Sequence, residues 1–294
     1  MRSSSHHRTL ERMRPLLGTV VSIRVTTEAS ESFAHSAIDA AFDAVAHVHA
    51  RMSFHEPDSD LSRLHGAHAG TWVNVDPHTA IVLRTALDLS ARSDGAFDAT
   101  VGGDLVAHGL LPPPTLGDLP DGRADWHDLE VDRTLPRVRL RRPAWIDLGG
   151  IAKGYAVDLA IDCLRDHGME QACVNAGGDL RWLGDGHHQV AIDTEEAAPS
   201  QCPVLELGEM ALATSSGRSF AVDGRGPHLH GRTRDRIGLS ECVSVVAPRC
   251  ILADALTKIV LACGTDCAPL LCALDATAYL HAADGQWSTF GSSA

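Results

Sequence analysis

Between positions 31 and 52, Phe33, Ile38, Phe42, Val45 and Val48 recur near the helical period with charged residues between them. That spacing predicts an amphipathic helix with one face in a core. The preceding stretch 19–25, TVVSIRV, has the β-branched composition of a strand. After the helix comes a polar loop, FHEPDSDLSRLHGAHAG. A second helix follows over 77–90, with Asp76 as N-cap and Pro77 at its first position.

The pattern then loosens. Residues 107–143 are rich in Pro, Gly and Asp, with short strands near 128–132 and 137–140, and read as an insertion or surface lobe. Regular structure resumes with a short apolar strand at 144–148, a Gly149-Gly150 turn and an amphipathic helix over 151–167 ended by Gly168. Strands are predicted at 171–175, 180–184, 188–193, 203–207 and 242–247. A last helix covers 251–263, closed by Gly264, and a hairpin at 276–290 turns at Asp284-Gly285. Strands and helices mix without strict alternation, which predicts an α+β fold. Residues 15–290 read as one unit and the polar residues 1–14 as a mobile tail.

Composition narrows the partners. The chain of 294 residues carries a net charge of −13, which argues against nucleic acid. An anionic ligand would need local cations working against that field. Only 6 Phe, 5 Trp and 2 Tyr are present, so the core must be mostly aliphatic. No uninterrupted apolar run of about 18 residues occurs, so no membrane insertion is expected. The N-terminal residues lack an apolar export segment, which leads to the expectation of a cytoplasmic protein. All 8 cysteines follow residue 160 and none forms C-x-x-C. Buried thiols, as at Cys263 and Cys272, are the expected reading, with a zinc site as the alternative. The 17 histidines are scattered.

Several segments could carry chemistry. In DLGGIAKGY, a strand runs through Gly149 and Gly150 into a helix with Lys153 in its first turn. This is either a cradle for a pyrophosphate, using helix N–H groups and the ammonium, or a tight turn with an exposed lysine. Asp254 shares a helix face with Thr257 and Lys258. The carboxylate and hydroxyl could hold a hard cation, or Asp254 could be a helix-start aspartate paired with Lys258. SDGAFD at 93–98 could rim a ligand or simply cap a helix, and NAGGD at 175–179 has the same ambiguity. His228 or His230 in HLH could serve as a base or be solvent-exposed. A phosphate cradle, a metal aspartate and a base together suit phosphoryl chemistry.

In the same order, LLGTVVSIRV, MSFHEPDSDLSRLH, SDGAFDATVG, IDLGGIAKGYAVDLA, VNAGGDLR, ALATSSG and SVVAPRCILADALTKIVLACG resemble the ApbE family of FAD:protein FMN transferases. The resemblance implies two T-fold-like halves in one compact unit, with a cleft between them for FAD and Mg²⁺. It places Lys153 and Asp158 at the FAD site, Phe54 near the flavin or adenine, and Ala96, Phe97 and Asp98 along the cleft. The Gly150 carbonyl and the Asp254 carboxylate would hold the metal, with Thr257 a possible third ligand, and His228 or His230 would be the base. The implied partner is an acceptor protein with a Thr or Ser flavinylation site, whose choice could be shaped by 107–143 and the acidic 193–200 stretch. An FAD pyrophosphatase and a non-catalytic FAD-binding protein are the alternatives.

Two positions depart from the family pattern. Lys258 stands where a threonine is usual, and HLHGRTRD lacks the usual Asp-Pro.

Overall fold

The computed structural model describes residues 7–114, 119–192, 202–216, 226–238, 242–282 and 284–292. The acidic 193–200 stretch lies outside the described residues.

The first two strands, Arg8–Leu16 (β1) and Thr19–Thr27 (β2), form an antiparallel hairpin with Leu16 opposite Thr19. Leu17 and Gly18 both take positive φ, 56° and 72°, as a two-residue hairpin turn requires. The expected tail is therefore a strand from Arg8 onward. Its exposed and half-buried residues alternate, as befits a polar edge strand.

Helix α1 (Glu31–Met52) follows, capped by the Ser30 hydroxyl, which accepts from Phe33 N–H at 3.3 Å. A lobe is then inserted: α2 (Asp60–His65), β3 (Val73–Asn74), α3 (Pro77–Arg92), α4 (Gly102–Ala107), β4 (Leu129–Val131) and β5 (Arg137–Leu140). Its strands make a small sheet in the order β3-β5-β4. The lobe thus begins well before residue 107. Asp76 caps α3 as expected, accepting from His78 N–H at 2.8 Å, with Pro77 at the first turn.

The rest of the first half is α5 (Ala152–Asp166), β6 (Gln171–Ala176) and β7 (Asp179–Leu183). After a separate hairpin of β8 (His188–Ala191) and β9 (Val204–Leu207), the second half comprises β10 (Ala211–Ser216), β11 (Cys242–Ala247), α6 (Cys250–Cys263), α7 (Ala268–Cys272), β12 (Thr277–His281) and β13 (Trp287–Gly291).

Leaving the inserted lobe aside, each half reads strand-strand-helix-helix-strand-strand. The eight strands form one antiparallel sheet in the order β1-β2-β6-β7-β10-β11-β12-β13. This matches the expected two halves side by side. They join through a short ladder, Ala211 opposite Arg181 and Leu212 opposite Leu180. The helices cover one face, where Val21, Ile23, Val174, Ala213, Val243 and Val245 are fully buried. On the other face Leu180, Leu212 and Val246 pack with Leu207 of β9.

The apolar 250–272 stretch has the length and hydropathy of a membrane span, yet α6 is a core helix, with Ala253, Leu256, Ile259 and Val260 fully buried. Cys250 and Cys267 are buried thiols, while Cys272 is exposed and Cys263 half-buried.

The apolar 144–148 segment is extended but belongs to no sheet. Its backbone bonds go elsewhere: Gly102 N–H to Trp145 O at 3.0 Å, Asp147 N–H to Ala99 O at 2.8 Å, and Ile146 N–H to His65 Nε2 at 2.8 Å. His65 is buried, and burial lowers its pKa to about 4 from 6.5.

This has a consequence for stability. Below pH 6.5 the unfolded chain takes up the His65 proton before the folded protein does, so stability falls as pH drops from 6.5 toward 4 and levels off below. The upper limit from this one group is roughly 3 kcal/mol. Urea unfolding across this range should show the loss, and His65→Gln should flatten part of it. An unchanged slope in that variant would refute the assignment.

Candidate active site

Two contiguous cavities, of about 300 and about 500 Å³, share Asp147, Gly149 and Lys153. Their volumes fall in the range of small-molecule sites. The larger lies where the halves meet. Gly150 and Gly177 come from the first half, Thr214, Ser215 and Lys258 from the second, and the inserted lobe contributes Ala96, Phe97 and Asp98.

Four ionic side chains form a chain through the junction. The Lys153 ammonium bonds the Asp179 carboxylate and stands 3.7 Å from Asp254 Oδ2. The Lys258 ammonium bonds Asp254 Oδ1 from one helical turn away. Asp254 is fully buried; burial opposes its charge, but Lys153 and Lys258 outweigh that and hold its pKa below the ordinary value. Burial likewise works against the Lys153 ammonium, and Asp254 and Asp179 more than compensate, raising its pKa. Burial and the Asp254 charge raise Asp179. Burial also raises Asp147, whose Oδ2 accepts from Gly149 N–H at 3.1 Å.

The Gly149–Lys153 turn does line the cleft, but much of its backbone is already engaged. Ile151 and Ala152 donate to Leu148 O at 3.0 and 2.9 Å, and Gly154 donates to Asp254 Oδ2 at 3.0 Å. The positive charge offered to a ligand here comes chiefly from lysine.

The metal set of the sequence does not assemble. Thr257 Oγ1 donates to its own helix at Asp254 O (2.7 Å) and meets Ser215 Oγ at 2.7 Å. At Gly150 the stem of Lys258 packs so closely that an added Cβ would lie 3.3 Å from its Cε. Each Asp254 oxygen already has a partner, Oδ1 an ammonium and Oδ2 an N–H. These residues do not fit a divalent cation. Among the described residues, His47, Asp76 and His78 do bring ligand-type atoms within 4.8 Å of one another, outside the cleft. Their polar groups are engaged in capping α3 and in the His78 Nδ1–Tyr155 hydroxyl bond of 2.6 Å.

The structure separates the two histidines. His228 lines the cleft. Its ring bonds the Ser216 backbone, and burial followed by the Lys258 charge lowers its pKa to about 4. With its pKa that low the ring is neutral at ordinary pH, and a neutral imidazole keeps one nitrogen unprotonated. His230 Nδ1 instead accepts from Arg232 N–H at 3.2 Å within its own turn. Of the remaining residues, Phe54 lines the smaller cavity, 5.2 Å from the His65 ring. Asp98 lines the larger one, but its carboxylate holds Thr100, Trp126 N–H and Arg234. The anchoring Arg234, at φ 63°, was not legible in advance because nothing in GRTRD marks which arginine turns inward.

Asp158 does not reach the cleft. It is fully buried on α5, accepting from Arg181 (2.8 Å) and from Cys250 and Ile251 N–H (2.9 and 3.0 Å). It therefore caps α6, which has no side-chain cap of its own.

Fold and site together define an α+β protein of two similar halves, with an ammonium-bearing cleft at their junction and a neutral histidine beside it. Comparison with known proteins narrows this. The ApbE family model matches residues 17–280. An FAD:protein FMN transferase of Vibrio cholerae is 29% identical over 242 residues, covering 74% of this chain and 71% of that protein. The ApbE protein of Thermotoga maritima superposes with a TM-score of 0.82 at 25% identity, covering 96% of each chain. The flavin transferase ApbE of Vibrio cholerae gives 0.82 at 22% identity, covering 98% of each chain. The chain belongs to the ApbE family.

The placement of Asp158 is testable. Asp158→Ala strands the buried Arg181 and uncaps α6, and should cost about 3–5 kcal/mol in urea unfolding. The fraction that folds should still gain thermal stability from FAD. A fully stable variant that had lost FAD binding would return Asp158 to the cleft.

Proposed function

We infer that this protein transfers FMN from FAD to a hydroxyl side chain, Thr or Ser, of an acceptor protein, releasing AMP. The observation that carries this reading is the shared cleft: two lysine ammoniums at the Gly149–Lys153 turn, with the neutral His228 lining the same cavity. Family membership supports it.

FAD would lie across the contiguous cavities with its pyrophosphate at Lys153 and Lys258. The acceptor oxygen bonds to the phosphorus on the FMN side. The bond from that phosphorus to the bridging oxygen breaks, and AMP leaves with that oxygen. The acceptor's proton passes to the unprotonated nitrogen of His228. Charge spreading onto the phosphoryl oxygens is met by the ammoniums, which are fixed in place by Asp179 and Asp254. Magnesium has no part in the step as proposed, because Asp254 and Thr257 are engaged by other groups.

His228→Ala should slow AMP release in the presence of acceptor by about 100-fold or more while leaving FAD affinity within a few-fold. Since the His228 pKa is lowered to about 4, the neutral, base-competent ring persists as pH falls. The acid limb of kcat/KM should therefore lie well below the 6.5 of an ordinary histidine. Measuring AMP and protein-bound flavin with and without a cytoplasmic lysate as acceptor source checks the reading. Free FMN and AMP without acceptor would make the protein a hydrolase, and intact bound FAD throughout would make it a binding protein.

A further inference from the structure

Lys153 and Lys258 are the only two lysines in the 294 residues; all the rest of the 25 lysine and arginine side chains are arginine. Both converge on one buried carboxylate, Asp254, from different helices. A chain that uses arginine for every other permanent cation keeps lysine at the two places where an ammonium meets this carboxylate. Arginine is a planar fork suited to bidentate contacts, whereas lysine ends in a compact point charge. Only the compact group resembles a small cation in size and in lack of directional demand.

The surroundings are built for that ammonium. Lys258 lies one turn after Asp254, its stem rests on Gly150, and its side chain is 15% exposed, within the larger cavity. Thr257, the one hydroxyl on that turn, is held away by Asp254 O and Ser215. A divalent ion bound to Asp254 would need oxygen ligands about 2.0–2.6 Å away. The two Asp254 oxygens are instead met by the Lys258 ammonium, the Gly154 N–H and, at 3.7 Å, the Lys153 ammonium, none of which has a lone pair to give.

We propose that the Lys258 ammonium takes the place of a divalent cation in this cleft, so that Lys153 and Lys258 together neutralise the pyrophosphate and no metal is required. This rests on the flavin-transfer reading for the identity of the ligand, but not for the claim about Asp254.

Mn²⁺ titration of the FAD-free full-length protein, followed by electron paramagnetic resonance, tests the site directly. Binding is assigned to the site only where Asp254→Asn abolishes it, which sets aside ions held elsewhere. The wild type should show no Asp254-dependent binding. Lys258→Thr, which removes the ammonium and restores a hydroxyl, should acquire it. Asp254-dependent binding in the wild type, or a Lys258→Thr protein that remains blind to metal, overturns the proposal.

A second readout is FAD affinity by flavin fluorescence in EDTA and in Mg²⁺. The wild-type Kd should agree within twofold between the two buffers. Lys258→Gln, which keeps much of the length but not the charge, should weaken binding roughly tenfold in both. Unchanged affinity in Lys258→Gln, or wild-type binding lost in EDTA, counts against the lysine. If no form of the protein binds FAD, the flavin reading fails, and the Mn²⁺ comparison still decides the question at Asp254.

Discussion

The junction between the two halves depends on two buried aspartates that each serve the other's helix. Asp158 on α5 accepts from the first two N–H groups of α6, and Asp254 on α6 accepts from Gly154 N–H in the first turn of α5. Neither helix has a side-chain cap of its own. The first N–H groups of a helix have no partner within it, so the N–H groups of Cys250, Ile251 and Gly154 would otherwise be buried unsatisfied. The exchange demands close approach. A Cβ on Gly154 would fall 2.2 Å from Cys250 O, so only glycine lets α5 and α6 come together.

Two buried carboxylates at one interface must be neutralised, and the two are treated differently. Asp158 is paired with Arg181, which is itself nearly buried, and with Arg249 at 3.4 Å. That end is closed. Asp254 is paired with lysines that open onto the cleft, so the charge balance there can be shared with a ligand. The same structural device therefore yields a rigid cap at one end and a binding site at the other. The difference lies in which cations surround each carboxylate: two arginines at Asp158, and at Asp254 two lysines that line the cleft.

This explains why the sequence disclosed the fold more fully than the site. Helix α1, the α5 segment with its preceding glycines, and strands β2, β6 and β11 follow from local periodicity and turn residues. Strand β1 was missed because an edge strand with a solvated outer face has charged residues where a core strand has apolar ones. Strand β10 was missed because ALATSS is built of small residues, which give little strand signal. The 144–148 segment has strand composition, but its backbone partners are a histidine ring and loop carbonyls far away in sequence. Asp158 and Asp254 both sit on the buried faces of their helices, and nothing local tells which one reaches the cleft. That is fixed by Arg181 and Arg249 on one side and the lysines on the other.

Lys258 shows how a departure at one position can reorganise a site without loss of charge logic. The chain's net charge of −13 repels any phosphorylated ligand at long range, so attraction must be local and desolvated. Within the cleft the carboxylates Asp254 and Asp179 are matched by the ammoniums of Lys258 and Lys153. A divalent ion beside Asp254 would have to displace the Lys258 ammonium from the carboxylate and leave it nearby with no partner in a mostly buried position. The ammonium on α6 avoids that conflict, because the residue that positions it also delivers the charge. The same constraint accounts for Thr257: with Lys258 filling the space beside the carboxylate, its hydroxyl turns to Ser215 of β10 and ties α6 to the sheet.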